Sequence, residues 1–281
     1  MPASRAESLE EGRIVNLAPR FKSEGLVREF MCDKLHVLEY ENRELLGRSA
    51  AGAVGDFMRR SIADKGRVRM VFASAMSQVD FLKYMQEESG IDWRKVYAFH
   101  LDEYKDFPSQ HEQSFSRFLV DRLFSRVEEA NFFPINSEAP DPDGELRRYS
   151  VLLKEAPIDI MVLGIGESGH LAFIDPEYCD FNDPEIFKVT QLDEQTREQL
   201  IHDGCFATID EVPRTAYSMT IPTCLSGLFT IVIVPTALKA RTIKAVVEGP
   251  ITTKVPASIL KTKENAWLLI DGESGQLLEN T

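Results

Sequence analysis

The segment Ile158–Pro176 reads I-D-I-M-V-L-G-I-G-E-S-G-H-L-A-F-I-D-P and decides the fold. Its apolar start, residues 158–163, is typical of a buried strand. The strand runs directly into a loop with three glycines, followed by His170. Glycine lets backbone amides approach a ligand closely, and open α/β sheets bind ligands at the carboxyl ends of their strands. The segment therefore predicts a ligand site in an α/β fold, with His170 inside it.

Strand-like runs alternate with helical patterns along the rest of the chain. The other predicted strands cover residues 68–74, 95–101, 187–192, 216–221, 228–235 and 266–270, and the predicted helices cover residues 27–63, 114–127, 144–154, 194–201 and 238–247. This alternation is typical of a parallel sheet covered on both faces. We therefore predict a doubly wound, mostly parallel α/β sheet with helices on both faces. It forms one domain over residues 26–281, after a flexible N-terminal extension of residues 1–25.

Composition narrows the classes of function. The 281 residues carry a formal net charge of −13, which argues against nucleic acid or an anionic membrane as a partner. No apolar run approaches membrane-spanning length, and the polar N-terminus does not resemble a signal peptide. The cysteines show neither C-x-x-C pairing nor zinc-like spacing, so we expect reduced thiols in a cytoplasmic protein without a metal site. They are Cys32, Cys179, Cys205 and Cys224.

The segment F-H-L-D-E-Y places two carboxylates directly after the predicted strand at residues 95–101. A carboxylate at the end of a buried strand is well placed to act as a general base. Partial burial would raise its pKa toward neutrality, where it can take a proton in catalysis. Asp102 is the candidate base. The alternative is a solvated loop carboxylate or a helix cap.

The glycine loop allows several interpretations. G-I-G-E-S-G matches the dinucleotide fingerprint G-x-G-x-x-G, but Pro176 interrupts the long helix that the fingerprint requires after its third glycine. The loop also lacks the spacing of the nucleophile elbow G-x-S-x-G. His170 is the candidate titrating group, with Asp175 as a nearby carboxylate that would orient its ring. The alternative is a histidine packed at the end of a strand.

Two segments are candidates for anion binding. The stretch Ser74, Ala75, Met76 and Ser77 joins a strand to a helix and would present amides at the helix N-terminus, although Ser77 could instead serve as an ordinary N-cap. Lys239 and Arg241 open the last predicted helix, where cations oppose the helix dipole. A bound phosphate would relieve that conflict, whereas a solvated lysine is the alternative.

Four segments together, in this order, resemble the glucosamine-6-phosphate deaminase/isomerase family, as a divergent member. They are F-H-L-D-E-Y, S-F-S-R-F-L, L-G-I-G-E-S-G-H-L-A-F-I-D-P and K-A-R-T-I-K-A-V-V-E-G-P. The related 6-phosphogluconolactonases are less similar, because their acidic element is D-E-R and their histidine loop runs into T-A-S. The resemblance extends over residues 68–270 and implies the same Rossmann-like, doubly wound sheet.

The resemblance also implies roles for individual residues. Asp102 matches the base that moves a proton between C2 and C1 of the sugar, His170 the histidine that opens the sugar ring, and Asp175 its acidic partner. The residues expected to contact the substrate or its phosphate are Ser74, Ala75, Met76, Ser77, Ser168, Arg197 and Lys239. Ser168 stands where many members have an aspartate, and Arg197 is the nearest substitute for an expected arginine.

Three functions follow as hypotheses. The first is isomerisation and deamination of an amino-sugar 6-phosphate, most simply glucosamine 6-phosphate to fructose 6-phosphate and ammonia, with neither metal nor cofactor. The second is hydrolysis of a sugar-phosphate lactone. The third is a sugar-phosphate sensor without catalysis, suggested by Ser168 and the altered phosphate loop. All three expect a small sugar phosphate as the partner and leave a homo-oligomer open.

Overall fold

The computed structural model describes residues 19–127 and 129–279. This part of the chain contains the strands β1 (Leu26–Cys32), β2 (Leu35–Tyr40), β3 (Val68–Phe72), β4 (Val96–His100), β5 (Asp102–Tyr104), β6 (Asn131–Phe132), β7 (Ile160–Leu163), β8 (Phe187–Gln191), β9 (Thr215–Met219), β10 (Phe229–Val234) and β11 (Ala266–Asp271). Its α-helices are α1 (Arg43–Lys65), α2 (Val79–Glu87), α3 (Phe115–Leu119), α4 (Pro142–Lys154), α5 (Glu194–His202), α6 (Ile221–Cys224) and α7 (Ala240–Glu248).

The largest sheet has eight strands in the order β1-β2-β11-β10-β7-β3-β4-β6. All neighbours from β2 to β6 pair in parallel, and only the edge strand β1 is antiparallel. The strand order reverses beside β3: the chain proceeds to β4 and β6 on one side, then returns to β7 on the other. Such a reversal opens a crevice at the carboxyl ends of the two central strands. The crevice lies between the loops that follow β3 and β7.

Both faces of this sheet are covered, which explains the continuous apolar run of β7. Met161 and Leu163 belong to the hydrophobic core on one face, and Ile160 and Val162 to the core on the other. The first face is packed by α4, α6 and α7, and the second by α1, α2 and α3. Burial on both sides removes the polar alternation of a one-sided strand. The predicted doubly wound architecture is confirmed.

The helix predicted over residues 27–63 is wrong in its first part. Residues 26–40 form the antiparallel hairpin β1–β2, and α1 begins only at Arg43 after the N-cap Asn42. Burial alternates along β1, which is the two-residue period of a strand. The turn contains Asp33 at a positive φ of 51°, in place of the glycine that commonly marks such turns. Because no glycine indicates this turn, the hairpin and the helix that follows it were predicted as one helical region.

Two of the predicted strands belong to a second sheet. β9 pairs antiparallel with both β5 and β8, in the order β5-β9-β8, and neither β8 nor β9 takes part in the parallel sheet. One face of this small sheet packs with α5 around an aromatic core that includes Tyr104 and Phe173. On β8, Phe187 is buried in the core of the large sheet, while Val189, on the same face of the strand, is exposed. This three-stranded sheet covers the carboxyl end of β4.

The N-terminal boundary also differs from the prediction. Residues 1–18 of the predicted extension lie outside the described residues, but the remainder is packed on the domain. The Lys22 amide donates to Ser49 Oγ at 3.0 Å, and Tyr40 donates to the Lys22 carbonyl at 3.1 Å. Phe21 lies 6.1 Å from Trp267, measured between ring centroids. The packed chain therefore begins before the predicted boundary at residue 25.

Two features of the described residues concern a membrane and a metal ion as partners. No helix within residues 19–127 and 129–279 is long and apolar enough to cross a bilayer. In the same part of the chain, no three or more His, Cys, Asp or Glu side chains are grouped to hold a metal ion.

Candidate active site

A cleft of about 630 Å³, measured to its open mouth, lies at the carboxyl ends of β3, β4 and β7. It therefore occupies the crevice that the strand order creates. Its walls come from the loop after β3, the start of β5, the glycine loop after β7, and the end of α5. The residues that line it are Ala73, Ser74, Ala75, Met76, Ser77, Leu101, Asp102, Phe115, Gly164, Ile165, Gly166, His170, Ala172, Phe173, Gln199, Leu200, Asp203 and Cys205.

The glycine loop is built around the imidazole of His170. A Cβ placed on Gly166 would lie 2.0 Å from both Cε1 and Nε2 of His170. Only a glycine at position 166 therefore leaves room for the ring. The loop closes on itself, because the Gly166 amide donates to the His170 carbonyl and the Gly169 amide donates to the Gly166 carbonyl. Gly169 has a φ of +86°, which L-residues with a side chain rarely adopt.

Asp175 holds the other edge of the same imidazole. Its Oδ1 lies 3.0 Å from His170 Nδ1, and its Oδ2 accepts a hydrogen bond of 3.0 Å from the Asp193 amide. The carboxylate is fully buried. Burial raises the pKa of Asp175, but the hydrogen bond and charge of His170 and the other donors outweigh it and leave that pKa below its ordinary value. Asp175 is therefore an ionised group that orients the histidine.

Two hydroxyls complete this network. Thr196 Oγ1 lies 2.9 Å from His170 Nδ1 and donates to Asp175 Oδ1 at 2.5 Å. Ser168 Oγ lies 2.9 Å from the same nitrogen and donates to the same oxygen at 3.2 Å. Sequence reasoning missed Thr196. The signal for it was weak, because Thr196 simply occupies the third position of α5, after the N-cap Asp193.

Asp102 stands on the opposite wall with a different environment. It is buried, and no described residue donates a hydrogen bond to its carboxylate. Burial, together with the neighbouring charge of Glu103, raises the pKa of Asp102 well above its ordinary value. A carboxylate with a raised pKa is a stronger base once it is ionised. The alternative of a solvated loop carboxylate does not fit this burial.

Glu103 supports the start of α3, whose N-cap is Ser114. Its carboxylate accepts from the amides of Phe115 and Ser116 at 3.0 and 2.8 Å, from Ser114 Oγ at 2.9 Å and from the Tyr104 amide at 3.0 Å. These contacts fix the start of α3 and hold Phe115 in the wall of the cleft. The segments D-E-Y and S-F-S are therefore joined physically. Glu103 supports the wall while Asp102 faces the cleft.

Of the two predicted anion-binding segments, the one after β3 lines the cleft and Lys239 does not. Ser74, Ala75, Met76 and Ser77 line it directly. Lys239 lies in the short helical turn after β10, which begins at Thr236 with a φ of 83°. The Lys239 ammonium and the Ser74 hydroxyl are both buried, and neither has a hydrogen-bond partner among the described residues. Burial lowers the pKa of Lys239, although the charges of Asp203 and Glu167 act in the opposite direction.

Comparison with known proteins identifies the family of this chain. Residues 41–269 match the family model described as glucosamine-6-phosphate isomerases/6-phosphogluconolactonase. This chain belongs to that family. It is 31% identical over 249 residues to a glucosamine-6-phosphate deaminase of Bacillus pumilus (strain SAFR-032), a match that covers 86% of this chain and 100% of the relative.

Solved structures of the glucosamine-6-phosphate isomerase family have the same fold. A monomeric glucosamine-6-phosphate deaminase superposes with a TM-score of 0.78 at 29% identity, covering 86% of this chain and 99% of that one. The 6-phosphogluconolactonase of Trypanosoma brucei superposes with a TM-score of 0.70 at 15% identity, covering 86% of this chain and 98% of that one. The second likeness shows the fold alone.

Within this family member, the structure gathers most of the predicted site residues but not all. Asp102, His170 and residues 74–77 line one cleft, and Ser168 and Asp175 lie behind His170. Arg197 does not line the cleft: its guanidinium donates to the Ile209 carbonyl and, at 3.2 Å, to the Val212 carbonyl. One guanidinium nitrogen of Arg197 therefore holds the loop after α5, and the contact between Arg197 and the phosphate stays a prediction.

Proposed function

We propose that the cleft binds an amino-sugar 6-phosphate and catalyses its isomerisation and deamination, with glucosamine 6-phosphate as the simplest substrate. The observation that carries the proposal is the convergence of Asp102, His170 and an anion-binding end on one cleft. The family relationship supports it as well, because the Bacillus pumilus relative is named a glucosamine-6-phosphate deaminase.

The anion-binding end is where the phosphate would lie. Lys239 Nζ and Ser74 Oγ are buried polar groups without hydrogen-bond partners among the described residues. Such groups are costly unless something else satisfies them, and a phosphate oxygen accepts hydrogen bonds from both an ammonium and a hydroxyl. The main-chain amides of residues 75–77 supply further donors next to them. We therefore assign the phosphate to the space between this loop and Lys239.

His170 is the group for ring opening. Asp175 Oδ1 accepts from Nδ1–H, which fixes the tautomer and leaves Nε2 to receive the proton of the anomeric hydroxyl. As that proton moves to Nε2, the C1–O5 bond breaks, and the imidazolium then passes the proton to O5. The ionised Asp175 stabilises the imidazolium that forms in between. The product of this step is the open-chain amino aldehyde.

Asp102 then acts on the open chain. Its ionised carboxylate takes the proton from C2 while the aldehyde oxygen O1 accepts a proton from water, which gives an enolamine. The Asp102 carboxyl group then returns the proton to C1. The nitrogen at C2 is now a protonated imine. Water adds to C2 and ammonia leaves, which produces the ketose. The raised pKa of Asp102 suits both halves of the proton transfer, because the same group must first accept the proton and then release it.

The test is an ammonia-release assay with a panel of hexosamine 6-phosphates, run beside a lactonase assay with 6-phosphogluconolactone. We expect ammonia and a ketose phosphate in equal amounts from at least one hexosamine phosphate. Acid release from the lactone without ammonia would instead support the hydrolase hypothesis. Binding of hexosamine phosphates without any product would support the sensor hypothesis.

A further inference from the structure

Gln78 is a fully buried side chain beside the cleft that neither ring opening nor proton transfer uses. It ends the short helical turn Met76–Gln78, which joins the loop after β3 to α2. One hydrogen of Gln78 Nε2 goes to Ser77 Oγ at 2.9 Å, and the other goes to the Ile233 carbonyl at 3.3 Å. The Gln78 amide therefore connects the loop after β3 to the carboxyl end of β10.

The Ile233 carbonyl fixes the orientation of the Gln78 amide. If the amide were turned over, its oxygen would lie against the carbonyl oxygen, and two acceptors do not form a hydrogen bond. The nitrogen therefore faces Ile233 and Ser77. In this orientation Gln78 Oε1 is buried without a hydrogen-bond partner among the described residues, which costs free energy. The two hydrogen bonds donated by Nε2 are what the amide contributes at this position.

The bond from Gln78 sets the direction of the Ser77 hydroxyl. A hydroxyl has one hydrogen to donate and accepts through its lone pairs, and Gln78 Nε2 lies on the accepting side of Ser77 Oγ. Ser77 is not the N-cap of either helical segment, since those N-caps are Ala75 and Gln78. Because Ser77 lines the cleft, its hydrogen is left for an acceptor on a ligand.

Gly164 packs against both atoms of this hydrogen bond. A Cβ placed on Gly164 would lie 3.4 Å from Gln78 Nε2 and 3.4 Å from Ser77 Oγ. The first glycine after β7 and the end of β10 thus enclose the pair. Hydrogen bonds in a chain also polarise one another, so a Ser77 hydroxyl that accepts from Gln78 is a stronger donor toward the cleft.

We propose that Gln78 is a positioning residue for phosphate binding, which holds the Ser77 hydroxyl so that it donates to a phosphate oxygen in the cleft. Gln78 does not itself line the cleft, so it acts through Ser77. This role rests on the proposed function, because the substrate phosphate is placed beside residues 74–77. The ligand group that Ser77 selects is a hydrogen-bond acceptor, since the group it presents is a donor.

The test is a double-mutant cycle of Gln78→Met and Ser77→Ala, measured by calorimetric titration of inorganic phosphate. Methionine has nearly the length of glutamine and removes both donors. We expect the affinity to fall roughly tenfold in Ser77→Ala and about three- to tenfold in Gln78→Met, as is usual for a hydrogen bond to a charged group. The double variant should lose no more than Ser77→Ala alone, because the two residues act as one unit.

The kinetics of glucosamine 6-phosphate provide a second measurement. In Gln78→Met the KM should rise by about the same factor as the phosphate dissociation constant, while kcat stays within about twofold, because the phosphate is held equally before and during the reaction at C1 and C2. A general loosening of the site would lower kcat as well.

Gln86→Met is the matched control. Gln86 Nε2 also donates two hydrogen bonds, to the carbonyls of Leu82 and Arg122, but Gln86 lies on α2 outside the cleft. Its phosphate affinity should stay within about twofold of the wild type. Melting curves establish folding, and Gln78→Leu is the second variant if methionine is not accommodated.

Three results would overturn the proposal: an unchanged phosphate affinity in a folded Gln78 variant, losses that multiply in the double variant, or an equal loss in Gln86→Met. Failure of the wild type to bind phosphate would overturn it as well. The titration does not depend on turnover. If no hexosamine phosphate releases ammonia while the cycle behaves as expected, the proposed function fails and the role of Gln78 stands.

Discussion

Two buried carboxylates of the site, Asp102 in the wall of the cleft and Asp175 behind His170, differ in the donors and charges around them. Asp175 accepts hydrogen bonds from His170, Thr196, Ser168 and the Asp193 amide. Asp102 accepts none from the described residues and has Glu103 beside it. As a result, the pKa of Asp175 lies below its ordinary value and that of Asp102 well above it.

The difference assigns the two chemical roles. A carboxylate with a lowered pKa stays ionised and orients a neighbour, whereas one with a raised pKa exchanges a proton. Burial alone does not decide this, because both side chains are buried. Glu103, which is buried beside Asp102, differs from both: burial raises its pKa, although the amide and hydroxyl donors around it act in the opposite direction. Substitutions that remove a donor or a charge therefore test the roles assigned to Asp102 and Asp175.

Removal of the charge on Asp102 should have the largest effect. In Asp102→Asn the amide cannot take the C2 proton, so we expect kcat to fall by about 10²–10⁴-fold, the usual contribution of a general base. The affinity for inorganic phosphate should stay within twofold, since the anion-binding end is intact. Steady-state ammonia release and calorimetry measure the two quantities. Normal turnover would exclude Asp102 as the base.

Displacement of the His170 ring should come next. In Gly166→Ala the new methyl group would lie 2.0 Å from Cε1 and Nε2, so the ring must turn away from Asp175. We expect a fall in kcat on the order of 10²-fold, as is typical of misplaced catalytic groups. Gly272→Ala is the control, because its nearest neighbour is 3.5 Å away and it lies outside the cleft. Equal losses for both variants would point to a folding defect.

Loss of the Thr196 hydroxyl should have a smaller effect. Thr196→Val keeps the shape of the side chain but removes a donor to Asp175 Oδ1. We expect kcat to fall roughly tenfold, since a hydrogen bond to a charged group contributes about 1.5–3 kcal/mol. Thr196→Ser retains the hydroxyl and should restore most of the activity. If valine and serine behave alike, the hydroxyl does not position the histidine.

Ser168→Ala should have a smaller effect still, a few-fold in kcat, because its bond to Asp175 is longer than that of Thr196, 3.2 Å against 2.5 Å. Thr196 would still hold the pair. Parallel assays of Ser168→Ala and Thr196→Val measure the ranking. A larger loss for the serine variant would reverse our order of the two hydroxyls.

The pH dependence of stability should separate the two carboxylates. A raised pKa in the fold means that protonated Asp102 is favoured, so its contribution to stability is complete below the unfolded pKa of about 3.9 and is lost as the pH rises through its folded pKa. Asp102→Asn should therefore unfold at higher urea concentration than the wild type at pH 7, by roughly 1 kcal/mol, and the advantage should shrink toward pH 4. Urea unfolding at a series of pH values measures this difference.

Asp175 should show the opposite sign. Its lowered pKa means that the ionised form stabilises the fold above the unfolded pKa, and this contribution is lost as the pH falls through the folded pKa. In the same urea series, the stability lost in Asp175→Asn should be constant near neutral pH and should decrease below about pH 4. If the stability of Asp102→Asn and of Asp175→Asn relative to the wild type changed with pH in the same direction, the two carboxylates would not differ as we propose.

Much of the fold could be predicted from local pattern. The apolar run of β7 indicated a strand buried on both faces, and its glycine loop indicated the edge that carries the site. The hairpin of β1 and β2 was missed because its turn contains Asp33 in place of glycine. β8 and β9 were assigned to the wrong sheet, because a periodic pattern identifies a strand but does not choose its partner.

The sequence by itself determined the chemical groups and their order: a carboxylate after one strand, a histidine after the next, and a lysine after a third. The reason for glycine at position 166, a Cβ that would lie 2.0 Å from the ring of His170, is visible only in the folded chain. Which carboxylate orients His170 and which takes a proton depends on the tertiary structure, because the donors to Asp175 come from distant segments such as α5. Packing also places Asp203 in the lining of the cleft and Arg197 outside it. The position of a helix end depends on packing rather than on local pattern.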